Sequence, residues 1–172
     1  GRKLLQESEP YWLRGLCFYD AGSRSFYTKN KPVLAPADLV GSKIRTQESP
    51  TAMTMVRALG GPPTPTARGE PPTALQQGVV DGAENNPPSF HLSRHFEVCK
   101  FYALDEHTAV PDMLLISTRT WYDLTEEEQS LLQAAADASA QEQKRLWKAA
   151  TAEALRAVQE GGVEIFHPDK KL

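Results

Sequence analysis

The chain has 172 residues and a mass of 19.0 kDa, about one domain of ordinary size. Hydrophobic residues make up 40% and charged residues 24%, the balance of a globular protein, which excludes a disordered chain, a collagen-like repeat and a coiled coil. A net charge of −3 and a pI of about 5.8 provide no overall positive field for phosphate backbones or anionic lipid, so nucleic-acid binding is not expected.

The chain opens on Gly1-Arg2-Lys3, with neither an initiator methionine nor an apolar signal region, and residues 3–9 read as the tail of a helix. It stops abruptly at Pro168-Asp169-Lys170-Lys171-Leu172, and both ends point to a piece of a longer chain, in which case a missing leader says nothing about export. Strand-like runs follow at residues 15–19 and 43–47, with short extended pieces at 64–66 and 79–81 and longer ones at 98–104, 113–117 and 163–166. Helical patterns separate several of them, so the expected fold class is α/β, with a largely parallel or mixed sheet. Ser49 as N-cap, Pro50 in the first turn and Gly60 beyond the last frame one helix, with Ala52, Met53, Val56 and Leu59 inward. Pro71 and Pro72 suit a first turn, which predicts a short helix over 70–77, and Pro87 and Pro88 open another that could reach Phe96. The longest element is expected over 126–160, opened by the Thr125/Glu128 capping box and closed by Gly161-Gly162. A helix of that length extends roughly 50 Å, more than a small domain, and is expected to bridge two lobes, one of them mostly outside the chain.

No segment is expected to insert in a membrane, since the longest aliphatic run, Met113-Leu114-Leu115-Ile116, is far short of the roughly 20 apolar residues a spanning helix needs. Cys17 and Cys99 are far apart and both lie in strand-like runs, which fits two inert core thiols better than a disulfide framework or a zinc site.

Some polar residues interrupt structured segments. Arg45, inside Lys43-Ile44-Arg45-Thr46-Gln47, needs an anionic partner because an unpaired buried charge costs several kcal/mol; that partner is either a core Asp or Glu or a ligand carboxylate. Arg24 follows a glycine turn and is either a solvated loop residue or a site residue. Asn85 and Asn86 precede the proline-opened helix, where an asparagine can cap the helix, turn the chain or offer an amide to a ligand. His91 and His95, four apart, lack the glutamate and third ligand of a zinc site, so packing roles are favoured over metal. Asp105-Glu106-His107, with Glu97 nearby, would suit acid–base work, yet neighbours on a regular extended segment face opposite sides, so Glu106 and His107 cannot share a site. Glycine-rich phosphate loops, Gly-x-Ser-x-Gly and Cys/His nucleophile patterns are lacking, so no catalytic residues are assigned.

Five motifs then occur in order: Gly22-Ser23-Arg24-Ser25-Phe26-Tyr27-Thr28, Pro36-Ala37-Asp38-Leu39-Val40-Gly41-Ser42-Lys43-Ile44-Arg45, Leu59-Gly60-Gly61-Pro62-Pro63-Thr64-Pro65, Ala74-Leu75-Gln76-Gln77-Gly78-Val79-Val80-Asp81-Gly82-Ala83-Glu84-Asn85 and Phe96-Glu97-Val98-Cys99-Lys100. Across nearly its whole length the chain resembles the solute-binding protein of the tripartite ATP-independent periplasmic (TRAP) transporters. The resemblance implies a periplasmic-binding-protein-like fold, two α/β lobes that close on an organic acid, with most of the N-terminal lobe missing here. It implies residues 1–19 as the end of that lobe and a hinge strand, 20–110 as the C-terminal ligand-binding lobe, 111–149 as a return strand and the bridging helix, and 150–172 as the return to the C-terminal lobe.

By the same resemblance Arg45 anchors the ligand carboxylate, Arg24 supplies a second cation and Asn85 donates an amide. Arg68 stands where many relatives have an aromatic or apolar residue, and Glu70-Pro71-Pro72 departs from a Glu-Val-Tyr run; Arg68 either adds a polar contact or faces solvent. The segment 105–112 is similar to members that take sugar acids such as uronates, for whose hydroxyls His107, Asp112 and Glu84 are candidate partners. The implied function is capture of a small carboxylate in the periplasm without chemistry, with no cofactor and no metal, for the membrane subunits of a transporter. The alternatives are a ligand-sensing or interaction module built on the same lobe and, third, an enzyme acting on a carboxylate.

Overall fold

The computed structural model describes residues 2–66 and 71–169. In chain order the elements are α1 (Arg2–Gln6), β1 (Leu13–Tyr19), β2 (Ser23–Thr28), β3 (Ile44–Thr46), α2 (Pro50–Ala58), β4 (Pro63–Pro65), α3 (Pro71–Gln76), β5 (Gly82–Asn85), α4 (Pro87–Leu92), β6 (Phe101–Ala109), β7 (Asp112–Ser117), α5 (Thr118–Asp123), α6 (Glu126–Glu160) and β8 (Glu164–Phe166). They fall into two units: Gly1–Gly22 with Val110–Ala150, and Ser23–Ala109 with Thr151–Leu172.

In the first unit β1 and β7 form an antiparallel ladder with an irregularity between Gly15 and Cys17. Leu16 and Cys17 pack with Trp121 of α5 and with Ala136 and Ala140, small residues that let α6 come close. Gly15 is dictated by contact, because a Cβ there would lie 2.9 Å from the Cα of Leu5 on α1. The start of α6 is closed reciprocally, the Thr125 N–H donating to the Glu128 carboxylate at 2.8 Å and the Glu128 N–H to the Thr125 hydroxyl at 3.3 Å.

The second unit is built on a six-stranded sheet in the order β4-β3-β5-β2-β6-β8. Strands β4, β3 and β5 are mutually parallel, β6 and β8 are parallel, and β2 runs against both β5 and β6. One reversed strand in an otherwise parallel sheet makes the fold α/β and mixed. Both faces of β2 are covered: Phe26 packs with Ile44, Val56 and Ala103, and Tyr27 with Leu75, Phe90, Tyr102 and Val158. Burial on both sides is the rule for sheets flanked by helices and removes the in–out alternation that marks a half-buried strand. For this reason β2 escapes the sequence reading, which takes its first residues as a loop after a turn.

Three expected elements shift. The extended piece expected at 79–81 is displaced to β5, where Asp81 turns back to accept the Lys43 N–H at 2.8 Å, and Gly82 lies so close to the Tyr27 carbonyl that a Cβ would sit 2.5 Å from it. The helix opened by Pro87 stops at Leu92 rather than Phe96, because Arg94 adopts a left-handed conformation (φ 58°) before a short turn at His95–Glu97. The run expected from residue 98 begins as β6 at Phe101, so Cys99 lies just outside a strand, although it and Cys17 are both buried and free, and burial raises the Cys99 thiol pKa to about 12. Ser49 caps α2 as expected, accepting the Ala52 N–H at 3.4 Å, and α6 spans 126–160. Among the described residues no helix is long and apolar enough to cross a membrane.

Candidate functional site

The parallel strands β3 and β5 end at the same edge of the sheet, and the edge beyond the carboxyl ends of parallel strands is where open α/β sheets bind ligands. Because β2 runs the other way, its first residues reach that edge too, while β6 brings its last ones. Four neighbouring strands therefore present Arg45, Glu84 and Asn85, Arg24, and Asp105 with His107.

Arg45 is 7% exposed. Its Nε donates to the Thr66 hydroxyl at 2.9 Å and its Nη2 to the Thr66 carbonyl at 3.1 Å. Among the described residues no carboxylate lies within ion-pair distance of it, and desolvation by burial lowers its pKa. The Thr46 hydroxyl next to it is buried without a hydrogen-bond partner. Of the two partners the sequence allows for Arg45, a core carboxylate is thus not found among the described residues. Thr66 is the contact sequence reasoning did not foresee, since a threonine in a proline-rich turn carries no mark of it.

Arg24 already has partners within the chain. It is bound on three sides: Nε to the Glu84 carboxylate, Nη2 to Glu84 Oε1 at 2.8 Å and to the Glu84 carbonyl at 2.9 Å, and Nη1 to Asn85 Oδ1 at 3.0 Å. Glu84, 3% exposed, is the counter-ion of this arginine rather than a free acceptor. Burial pushes its pKa upward, but His107 and Arg24 outweigh that and leave it lowered. Asn85 gives its amide oxygen to Arg24 and to the Asn86 N–H, and its amide nitrogen has no acceptor among the described residues, so it remains a donor. Asn86, not Asn85, caps α4, accepting the Ser89 N–H at 2.9 Å.

Strand β6 is irregular beside this pair. Phe26 aligns with Ala103 while Arg24 aligns with Thr108, so the intervening residues bulge, and Glu106 takes a positive φ of 51°. Asp105 and His107, two residues apart, face the same way, with His107 Nδ1 2.6 Å from Asp105 Oδ2 and Nε2 3.7 Å from Glu84 Oε2, while Glu106 is exposed. Glu106 and His107 are separated as expected. Asp105 belongs to this cluster, and sequence reasoning named it only within a tripeptide.

Asp112 is exposed on β7 in the first unit, and Arg68 lies outside the described residues. His91 and His95 do not share a ligand: the His91 ring packs by Phe96, and His95 Nδ1 is 2.7 Å from the buried Tyr27 hydroxyl. Among the described residues no group of three or more His, Cys, Asp or Glu could hold a metal ion. A cavity of about 680 Å³ lined by α1, β1 and α6 belongs to the first unit and shares no residue with this cluster.

Residues 1–171 match the family described as DctP, bacterial extracellular solute-binding protein, family 7. Among solved structures, a TRAP periplasmic solute binding protein from Xanthobacter autotrophicus Py2 with bound β-D-galacturonate is 40% identical, with a TM-score of 0.89 over 98% of this chain and 56% of that one. Another, from Roseobacter denitrificans with bound β-D-glucuronate, is 38% identical, with a TM-score of 0.92 over 99% of this chain and 57% of that one. A solute-binding protein of Chromohalobacter salexigens is 36% identical over 156 residues, 91% of this chain and 46% of that protein. The chain spans about half the length of the curated relatives it matches. With the sheet order, the reversed strand and the two arginines accounted for, the chain belongs to the DctP family of bacterial extracellular solute-binding proteins, which serve TRAP transporters.

Proposed function

We propose that the second unit is the carboxylate-anchoring lobe of a periplasmic solute-binding protein that captures a hexuronate and hands it to the membrane subunits of a TRAP transporter, with no chemical step. The observation that carries this reading is Arg45. A guanidinium 7% exposed, with Nη1 uncommitted and no carboxylate beside it among the described residues, is an incomplete ion pair. Its planar fork suits a carboxylate held by two parallel hydrogen bonds. The Asn85 amide donor lies on the neighbouring strand, and Arg24 adds a positive edge already matched by Glu84. A sugar ring also needs partners for its hydroxyls, and the Asn85 amide nitrogen, without an acceptor among the described residues, is suitable. The uronates bound to the two similar structures fit that chemistry, a single carboxylate on a polar ring.

Thermal unfolding of the chain with D-galacturonate, D-glucuronate, succinate, pyruvate and D-galactose tests the reading. The uronates raise the midpoint, by the equivalent of about 2.7 kcal/mol at a hundredfold excess over Kd, and neutral D-galactose does not. Equal shifts with D-galactose and D-galacturonate, or a cooperatively folded chain that answers to no carboxylate, overturn it.

A further inference from the structure

The Asp105 carboxylate is used twice. Oδ1 accepts the Phe26 N–H at 3.0 Å, and Oδ2 faces His107 Nδ1 at 2.6 Å. The Phe26 ring lies on the imidazole, with centroids 4.2 Å apart and planes 25° from parallel. These contacts fix the position of the histidine, the plane of its ring and its tautomer, because a carboxylate accepts and Nδ1 must then carry a proton. Nε2 is buried without a hydrogen-bond partner, 3.7 Å from Glu84 Oε2. A neutral imidazole would aim a lone pair at that carboxylate, whereas an imidazolium aims an N–H at it.

We propose that Asp105 is a positioning residue that holds His107 as an imidazolium between two carboxylates, and that this proton sets the charge of the carboxylate-binding surface. The inference rests on reading that surface as a carboxylate anchor. The charged groups around His107 are Asp105 and the exposed Glu106 on its own strand, Glu84 from β5 and, behind Glu84, Arg24 from β2 and Arg45 from β3. With His107 protonated, of the two carboxylates that face it Asp105 is matched by the imidazolium and Glu84 by Arg24, so neither draws on Arg45. Without that proton Asp105 is unmatched and the surface beside Arg45 is one charge more negative, which disfavours an anion. Burial opposes the charge on His107, but the hydrogen bond to Asp105 and the adjacent Glu84 outweigh it and raise its pKa above the usual 6.5. The surface therefore favours a monocarboxylate while His107 is protonated and weakens as the pH rises through its raised pKa.

The test is a pH titration of the His107 ring nitrogens by long-range proton–nitrogen NMR in the chain without ligand, beside D-galacturonate affinity over the same pH range. The expected midpoint lies above 6.5, with Nδ1 protonated on both sides of it. In Asp105→Asn an amide NH2 can face Nδ1, so the midpoint falls and the tautomer inverts. Affinity in the unmodified chain drops by about tenfold per pH unit above the midpoint, and in Asp105→Asn the drop moves to lower pH. A midpoint at or below 6.5, or an Nε2-protonated neutral ring, overturns the role of Asp105 even where the variant fails to fold. A raised midpoint with pH-independent affinity overturns the charge-setting role. If D-galacturonate binds at no pH, the carboxylate reading fails, while the histidine titration still decides on Asp105.

Discussion

Replacing Arg45 by methionine separates a structural arginine from a ligand anchor, because the two roles predict opposite balances. Methionine keeps the length of the apolar stem and removes the charge. The change loses two hydrogen bonds to Thr66, each worth about 1.5–3 kcal/mol for a charged donor. Thr66 is only half-buried, so water recovers part of that loss. On the other side, the desolvation of a guanidinium 7% exposed and without a carboxylate partner among the described residues is relieved, a penalty of several kcal/mol. The terms nearly offset, and the variant without ligand should lie within about 2 kcal/mol of the parent. An arginine closing a buried ion pair would instead cost about 3–5 kcal/mol on removal.

The ligand term is where the variant should fail. At a hundredfold excess of D-galacturonate over Kd the parent gains about 2.7 kcal/mol, equivalent to about 5–11 °C in a chain of this size. Losing the charged partner of a buried carboxylate costs about 2–5 kcal/mol of affinity, which leaves the variant less than about 1 kcal/mol of stabilisation at the same concentration. Urea unfolding with and without D-galacturonate measures both quantities. A variant destabilised by more than about 3 kcal/mol on its own, or one that keeps the full ligand shift, would refute the assignment of Arg45.

Two further changes probe the groups behind the anchor. Glu84→Gln leaves the Arg24 guanidinium without its counter-ion and should lower stability in urea by about 2–3 kcal/mol, at the low end for a buried pair because Arg24 still touches water; a loss below about 0.5 kcal/mol would mean that the pair contributes nothing. His95, buried under Tyr27, has its pKa lowered by burial and by Arg45 from 6.5 to about 4, so its contribution is complete above pH 6.5 and is lost as the pH falls toward 4, by about 3 kcal/mol in all; His95→Gln should flatten that acid limb of the stability curve, and an unchanged limb would contradict it.

Where the local chemistry is self-sufficient, the sequence declares the structure. The Thr125/Glu128 box and Gly161-Gly162 mark the ends of α6, and Ser49 with Pro50 marks the start of α2, because a cap satisfies its own backbone donors within a turn. Strand β2 has no such signature. Its residues are buried because helices cover both faces of the sheet, and Ser25 and Thr28 tolerate that burial through bonds to the Glu106 N–H and the Lys31 carbonyl. The Lys31 carbonyl is local, but only the assembled sheet brings the Glu106 N–H to Ser25.

The same distinction decides the site. Arg45 stands out in sequence because a charge inside a strand demands a partner, but the strand alone leaves open whether that partner is a core carboxylate or a ligand. Whether Arg24 is free or paired depends on the direction of β2. A parallel β2 would have sent Arg24 to the opposite edge of the sheet, and Glu84 would then have been a buried carboxylate beside Arg45, its natural partner. Reversing that one strand brings a dedicated cation to Glu84 and leaves Arg45 without a carboxylate partner among the described residues. The anchor role proposed for Arg45 thus rests on topology as much as on residue type: an arginine can wait for a ligand's carboxylate only if a nearby protein carboxylate is already taken.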